Sequence, residues 1–246
     1  MMSINILMTG EGPTDYGQKA YGSDCWEEGP AAILARRCAE EMGAEIRLFF
    51  AERETINKMR LSRHSKGLNG KAIPARRFYM HMKEKGYDHG IYYCDADRES
   101  GACNNKHQAE ERFYKVYNEV DDGANPTGEN KRVVPMVALR MIESWLVSDI
   151  NVFQGGGKSG NKIKVSFPQE PELLWGDKRD PESNYPKNVL KRLCLNYLHC
   201  EPCRETYVSI SEEISLDNIA QKCPISFAKF REDLCTYMNM SNNNLM

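Results

Sequence analysis

Apolar runs and helical periodicities alternate along the first 140 residues. Residues 4–9 are a short apolar run closed by Gly10, and residues 45–50, 89–94 and 132–137 repeat the form, so each is read as a buried strand. Between them the spacing changes to i, i+3, i+4, i+7. A helix is expected from Pro30 through Ile33, Leu34, Cys38 and Met42 to a stop at Gly43. A second starts at Pro74 with Ala75, Phe78, Tyr79 and Met82 on one face and ends at Gly86. A third covers residues 106–120, turning Phe113, Val116 and Tyr117 inward, while residues 12–29 read as a Gly-rich loop.

Strand–helix alternation of this kind requires parallel strands joined by helical crossovers, which predicts a three-layer α/β/α sandwich with a mainly parallel sheet. Past Asp149 the periodicity fails. Residues 151–186 are rich in Gly, Pro and Lys and read as loops. Helices resume at 186–198, with Val189, Leu190, Leu193 and Leu195 inside, then near 216–222, and at 224–238 with Phe227, Phe230 and Leu234 inside; residues 241–246 are expected to fray. The organisation is an α/β core over 1–150 with a helical extension over 151–246 packed on it, not two independent domains.

Composition adds little to this frame. The 246 residues are 41% hydrophobic and 28% charged, enough apolar content for a core that needs neither disulfides nor a structural metal. No stretch approaches the roughly 18 apolar residues of a membrane span, and the N-terminal run is too short and lacks the basic leader of a signal peptide. A soluble, cytoplasmic protein is expected. The nine cysteines fit reduced thiols; Cys200-Glu201-Pro202-Cys203 is a single Cys-x-x-Cys pair with no second pair to complete a zinc site.

Acids at strand ends change the picture more. Glu11 and Asp15 follow the first strand, and Asp95 and Asp97 close the third. Ligands of parallel sheets bind at the carboxyl ends of strands, so a shared site requires strands one and three to be neighbours, with two and four outside. Carboxylates gathered there repel one another unless a hard cation such as Mg²⁺ (or Mn²⁺) joins them. Against this stands the plainer use of Asp95 as a helix cap and Asp97 as a partner for Arg98. Glu143, inside Met141-Ile142-Glu143-Ser144-Trp145, is read either as a buried ligand or as an exposed residue on the polar side of a helix.

Charge is unevenly spread although the net charge is only −2. Between Arg53 and Lys85 ten Lys/Arg stand against two acids, which makes either a solvated face or a phosphate-binding surface built on Arg60, Arg63, Lys66, Lys71, Arg76 and Arg77. Two motifs are set aside. Gly155-Gly156-Gly157-Lys158-Ser159 lacks the first glycine of a P-loop and neither follows a strand nor opens a helix. The five histidines show no catalytic order, with His64 singled out only by its basic surroundings.

Glu11-Gly12-Pro13-Thr14-Asp15, followed by Asp95-Ala96-Asp97-Arg98 and Glu143-Ser144-Trp145, resembles the TOPRIM superfamily, the catalytic α/β module of topoisomerases, primases and OLD-type nucleases. The likeness extends, through Pro171-Glu172, Asp180-Pro181-Glu182-Ser183 and Cys223-Pro224-Ile225-Ser226-Phe227, to an uncharacterised TOPRIM-like family of prokaryotes often found beside ATPases and defence clusters. The resemblance implies Mg²⁺ on Glu11, Asp95 and Asp97, with Asp15 and Glu143 completing or supporting a second site, where one ion activates water and the other stabilises the leaving oxygen. It lacks the tyrosine-bearing domain of topoisomerases and the zinc module of primases. The expectation is phosphodiester hydrolysis of DNA or RNA; the rival is a non-catalytic subunit working with a partner ATPase. Oligomeric state is left open.

Overall fold

The computed structural model describes residues 3–61, 67–96, 105–127, 129–154 and 167–243. Four strands, β1 (Ser3–Gly10), β4 (Glu45–Phe50), β5 (His89–Asp95) and β6 (Val133–Ala138), form one sheet in the order β4-β1-β5-β6, every pair parallel. The first and third strands of the sheet are therefore adjacent, as the acid spacing required. Strand periodicity shows in how the side chains divide. Ile6, Met8, Ile91, Tyr93, Val134 and Met136 enter one apolar cluster, whereas Leu7, Tyr92, Cys94, Val133 and Val137 enter another on the opposite face.

Helices cover both faces. On the second face α4 (Ala72–Glu84) supplies Phe78 and Met82, and α5 (Lys106–Ala124) supplies Phe113, Val116 and Val120. On the first, α2 (Pro30–Glu41) contributes Leu34 and Cys38 and meets helices from the far end of the chain. These are α8 (Pro186–Leu193), α9 (Arg204–Glu213), α10 (Leu216–Lys222) and α11 (Phe227–Asn243), whose Leu190, Ile210, Ile219, Phe227, Phe230 and Leu234 complete that cluster. The result is a Rossmann-like α/β/α sandwich. Each such side chain, fully buried, is worth about 1.5–3 kcal/mol, so the C-terminal helices are part of the core.

Local signals account for the helix limits. Pro30 occupies the first helical position of α2, and Gly43 (φ 72°) takes the left-handed turn that closes it while Ala44 N donates to Ala39 O at 3.0 Å. In α5 the Asn105 side chain accepts from His107 N at 2.8 Å. Asp95 caps none of these helices.

Several expectations are corrected. The loop expected over 12–29 contains α1 (Pro13–Tyr16) and a hairpin of β2 (Gly17–Lys19) with β3 (Trp26–Glu28). Its order comes from distant partners: Trp26 stacks on Phe50 at 5.3 Å, and Tyr16 lies 6.2 Å from Trp26. α4 starts two residues before Pro74, which the first turn tolerates because those N–H groups have no helical acceptor. Short helices α3 (Arg53–Lys58) and α7 (Ile150–Gln154) and the whole of α9 add to the expected set, while the helical stretch expected around Glu143 is α6 (Ile142–Leu146). After α8 the chain widens into a π-turn over Cys194–Leu198, and that change of phase leaves Leu195 41% exposed rather than inside. α11 begins at Phe227, and its backbone stays helical through Asn243. Among the described residues no helix is long and apolar enough to cross a membrane.

Candidate functional site

Three neighbouring strands deliver acids to one edge of the sheet. β1 and β5 approach closely because Gly10 has no side chain; a Cβ there would lie 2.9 Å from Tyr93 Cβ. Glu11 N extends the ladder to Tyr93 O at 3.2 Å. Gly12 then adopts φ 77°, a left-handed conformation that turns the chain into α1, where Asp15 N donates to Gly12 O at 3.0 Å. Tyr16 Oη ties α1 to Ala51 O at 3.2 Å, beside Thr9 Oγ1, which donates to the same carbonyl at 2.8 Å. Asp95 ends β5 and accepts from Tyr93 Oη at 2.8 Å. Glu143, on the second residue of α6 just past β6, is 2% exposed, which decides for burial over a solvent-facing helix position.

These acids feel one another. Asp15 is pushed up to about 7, first by burial and then by the negative charge of Glu143, with Glu11 adding to it. Asp95 is held far above the carboxylate range by burial, against the Tyr93 hydrogen bond, with Asp15, Glu143 and Glu11 all raising it. Burial also raises Glu143, opposed by Lys187 and by the hydroxyl of Tyr207. Glu11, Asp15, Asp95 and Glu143 therefore share one electrostatic neighbourhood in which negative charge is under-compensated.

Among the described residues, two lysines and an arginine pair with these acids. Lys71 Nζ makes an ion pair with Glu11 Oε1, and Arg53 Nη2 stands 3.6 Å from the same oxygen. Lys187 Nζ lies 3.6 Å from Glu143 Oε1. Of the basic residues singled out in the sequence, Lys71 thus reaches the acids, Arg60 is exposed, and Arg77 is half-buried. Arg76 is engaged inside the fold, donating from Nε to Gly123 O at 2.6 Å and from Nη2 to Asp122 O at 2.8 Å. Asp97, Arg63, Lys66, His64 and the Gly155–Ser159 motif lie outside the described residues.

Lys187, Tyr207, Tyr93 and Arg53 join the site without having been singled out as site residues. Tyr207 sits on α9 and Lys187 on α8, both in the C-terminal extension, and no spacing in the chain connects them to Glu143. Away from these acids, Arg140 is buried in the turn after β6 with its guanidinium 5.0 Å over the Trp175 ring. The donor chemistry, carboxylate oxygen throughout, fits a hard cation. Among the described residues, however, no three His, Cys, Asp or Glu side chains are grouped as a ready cation site.

A family model described as "Domain of unknown function (DUF4276)" matches residues 40–235, a span that includes Asp95 and Glu143 and begins after Glu11 and Asp15. No curated protein and no solved structure matches the chain.

Proposed function

The chain belongs to the DUF4276 family, a domain of unknown function, and for this member we propose a divalent-cation-dependent phosphodiesterase of TOPRIM type that hydrolyses nucleic acid. The observation that carries the reading is the convergence of Glu11, Asp15, Asp95 and Glu143 at the carboxyl ends of three adjacent parallel strands, with positive groups on two of them. Glu11 and Asp95 would hold the ion, with Asp15 and Glu143 beside them. When bound, Mg²⁺ or Mn²⁺ supplies Lewis-acid polarisation of the phosphodiester and a nucleophilic water.

The chain's own residues do the rest. Tyr93 orients Asp95 by its hydrogen bond, and Tyr207 with Lys187 holds Glu143. Lys71 and Arg53 lie on Glu11, so both cationic groups stand where they would meet a phosphate oxygen brought to that carboxylate. Arg60, with Arg63 and Lys66 of the same basic segment, would hold the polymer backbone, which makes binding fall steeply with salt.

The test is cleavage of single- and double-stranded DNA and RNA by the pure protein with Mg²⁺ or Mn²⁺, beside Glu11→Ala and Asp95→Ala. Loss of at least a hundredfold in both variants is expected; cleavage equal to wild type in both removes the assignment. Saturable Mg²⁺ binding without turnover would instead support the non-catalytic reading, a regulatory subunit for a partner ATPase.

A further inference from the structure

Cys200 and Cys203 flank Glu201-Pro202 directly ahead of α9, and Cys203 is that helix's N-cap. Both sulfurs rest against one hydroxyl: Cys200 Sγ is 3.8 Å and Cys203 Sγ 3.2 Å from Thr206 Oγ1, which also lies 3.3 Å from Glu201 O. Cys203 is exposed and Cys200 half-buried. Cys200 and Thr206, with Val152, Leu198, Ile210 and Glu213, line a cavity of about 540 Å³, through which a small reagent can reach Cys200, while Cys203 is open to solvent directly. Cys194 lies buried beneath, close enough to feel both thiols, and burial keeps it protonated. Among the described residues these thiols belong to no cation-ready group, and two thiols converging without further ligands suit exchange with a disulfide.

We propose that Cys200 and Cys203 form a reversible dithiol–disulfide couple that takes a low-molecular-weight disulfide, such as glutathione disulfide, as its oxidant. The exposed Cys203 thiolate attacks one sulfur of the oxidant, forming a mixed disulfide and releasing one glutathione thiolate. Cys200, as thiolate, then attacks the Cys203 sulfur, forming the internal disulfide and releasing the second glutathione thiolate. Two protein thiols are oxidised and the oxidant is reduced to two glutathione thiolates, which take up through solvent the two protons that the protein thiols gave. The bond closes a strap on the first turn of α9, the helix that carries Tyr207 to Glu143.

The whole chain, reduced and then equilibrated in graded glutathione/glutathione disulfide buffers, is quenched in acid, alkylated with N-ethylmaleimide and mapped by peptide mass. The peptide holding Cys200 and Cys203 should lose both adducts together and become two hydrogens lighter, with dithiothreitol restoring both. Exposed Cys25 serves as an unpaired control. Cys200→Ser should arrest the reaction with one glutathione on Cys203. Amide exchange over residues 204–208 should slow in the oxidised protein. Independent glutathionylation or alkylation of the two thiols in wild type, or pairing of Cys203 with another cysteine, overturns the proposal; unchanged exchange in α9 overturns the strap. Neither readout depends on metal binding or nuclease activity.

Discussion

Asp15 shows how a single side chain can be a stability cost. Its folded-state pKa of about 7 lies above the ordinary carboxylate value, because burial and the charge of Glu143 disfavour ionisation. Between about pH 4 and 7 the folded chain therefore binds more protons at this group than the unfolded chain, and its contribution to stability falls as pH rises, reaching its full penalty above 7. In metal-free protein at pH 8, Asp15→Asn should stabilise by about 1–3 kcal/mol, with the gain vanishing near pH 4. Urea midpoints across that range check this, and a pH-independent difference between variant and wild type would contradict it. Added Mg²⁺ should then stabilise wild type and leave the variant largely unmoved.

Among the elements, α11 and the α4–α5 pair depend on contacts that no local pattern encodes. Glu172, buried in a 3₁₀ turn, accepts from Ile225 N at 2.9 Å, Ser226 N at 3.1 Å and Ser226 Oγ at 2.8 Å, satisfying the start of α11, while Trp145 Nε1 donates to the same Ser226 oxygen at 2.9 Å. Glu172→Ala leaves those donors unmet and should cost about 2–4 kcal/mol with a changed near-ultraviolet Trp signal. α5 crosses α4 at Gly123, where a Cβ would collide with the Ala72 carbonyl and stand 2.8 Å from Ala72 Cα. Gly123→Ala should therefore destabilise by about 2–4 kcal/mol in chemical denaturation, although alanine is the better helix former.

For the molecule as a whole, the sheet's first face is covered by α2 alone without the C-terminal helices. Ile6, Met8, Val134 and Met136 share one cluster with Leu190, Phe227, Phe230 and Leu234, and Arg37 on α2 donates to Ser211 O and Ile214 O at 2.7 Å each. A fragment of residues 1–150 should accordingly lack a cooperative unfolding transition, a result read by circular dichroism against urea. A sigmoidal transition in that fragment would make the core an autonomous domain.

Periodicity determined the four strands and the three long helices between them, α2, α4 and α5, because alternation and 3.6-residue spacing are local consequences of which face is buried, and the acids fall at the strand ends. Strand adjacency followed from requiring a common site for Glu11 and Asp95. Only tertiary structure decided the hairpin over 17–28, α9 and the burial of Glu143. The hairpin is ordered by Phe50 and the polar α9 by Arg37, while Glu143 is covered by Lys187 and Tyr207, at separations no spacing rule reaches. The chemistry of the strand ends was legible because backbone direction places it; the groups that meet it from α8 and α9 were not, because helix packing places them.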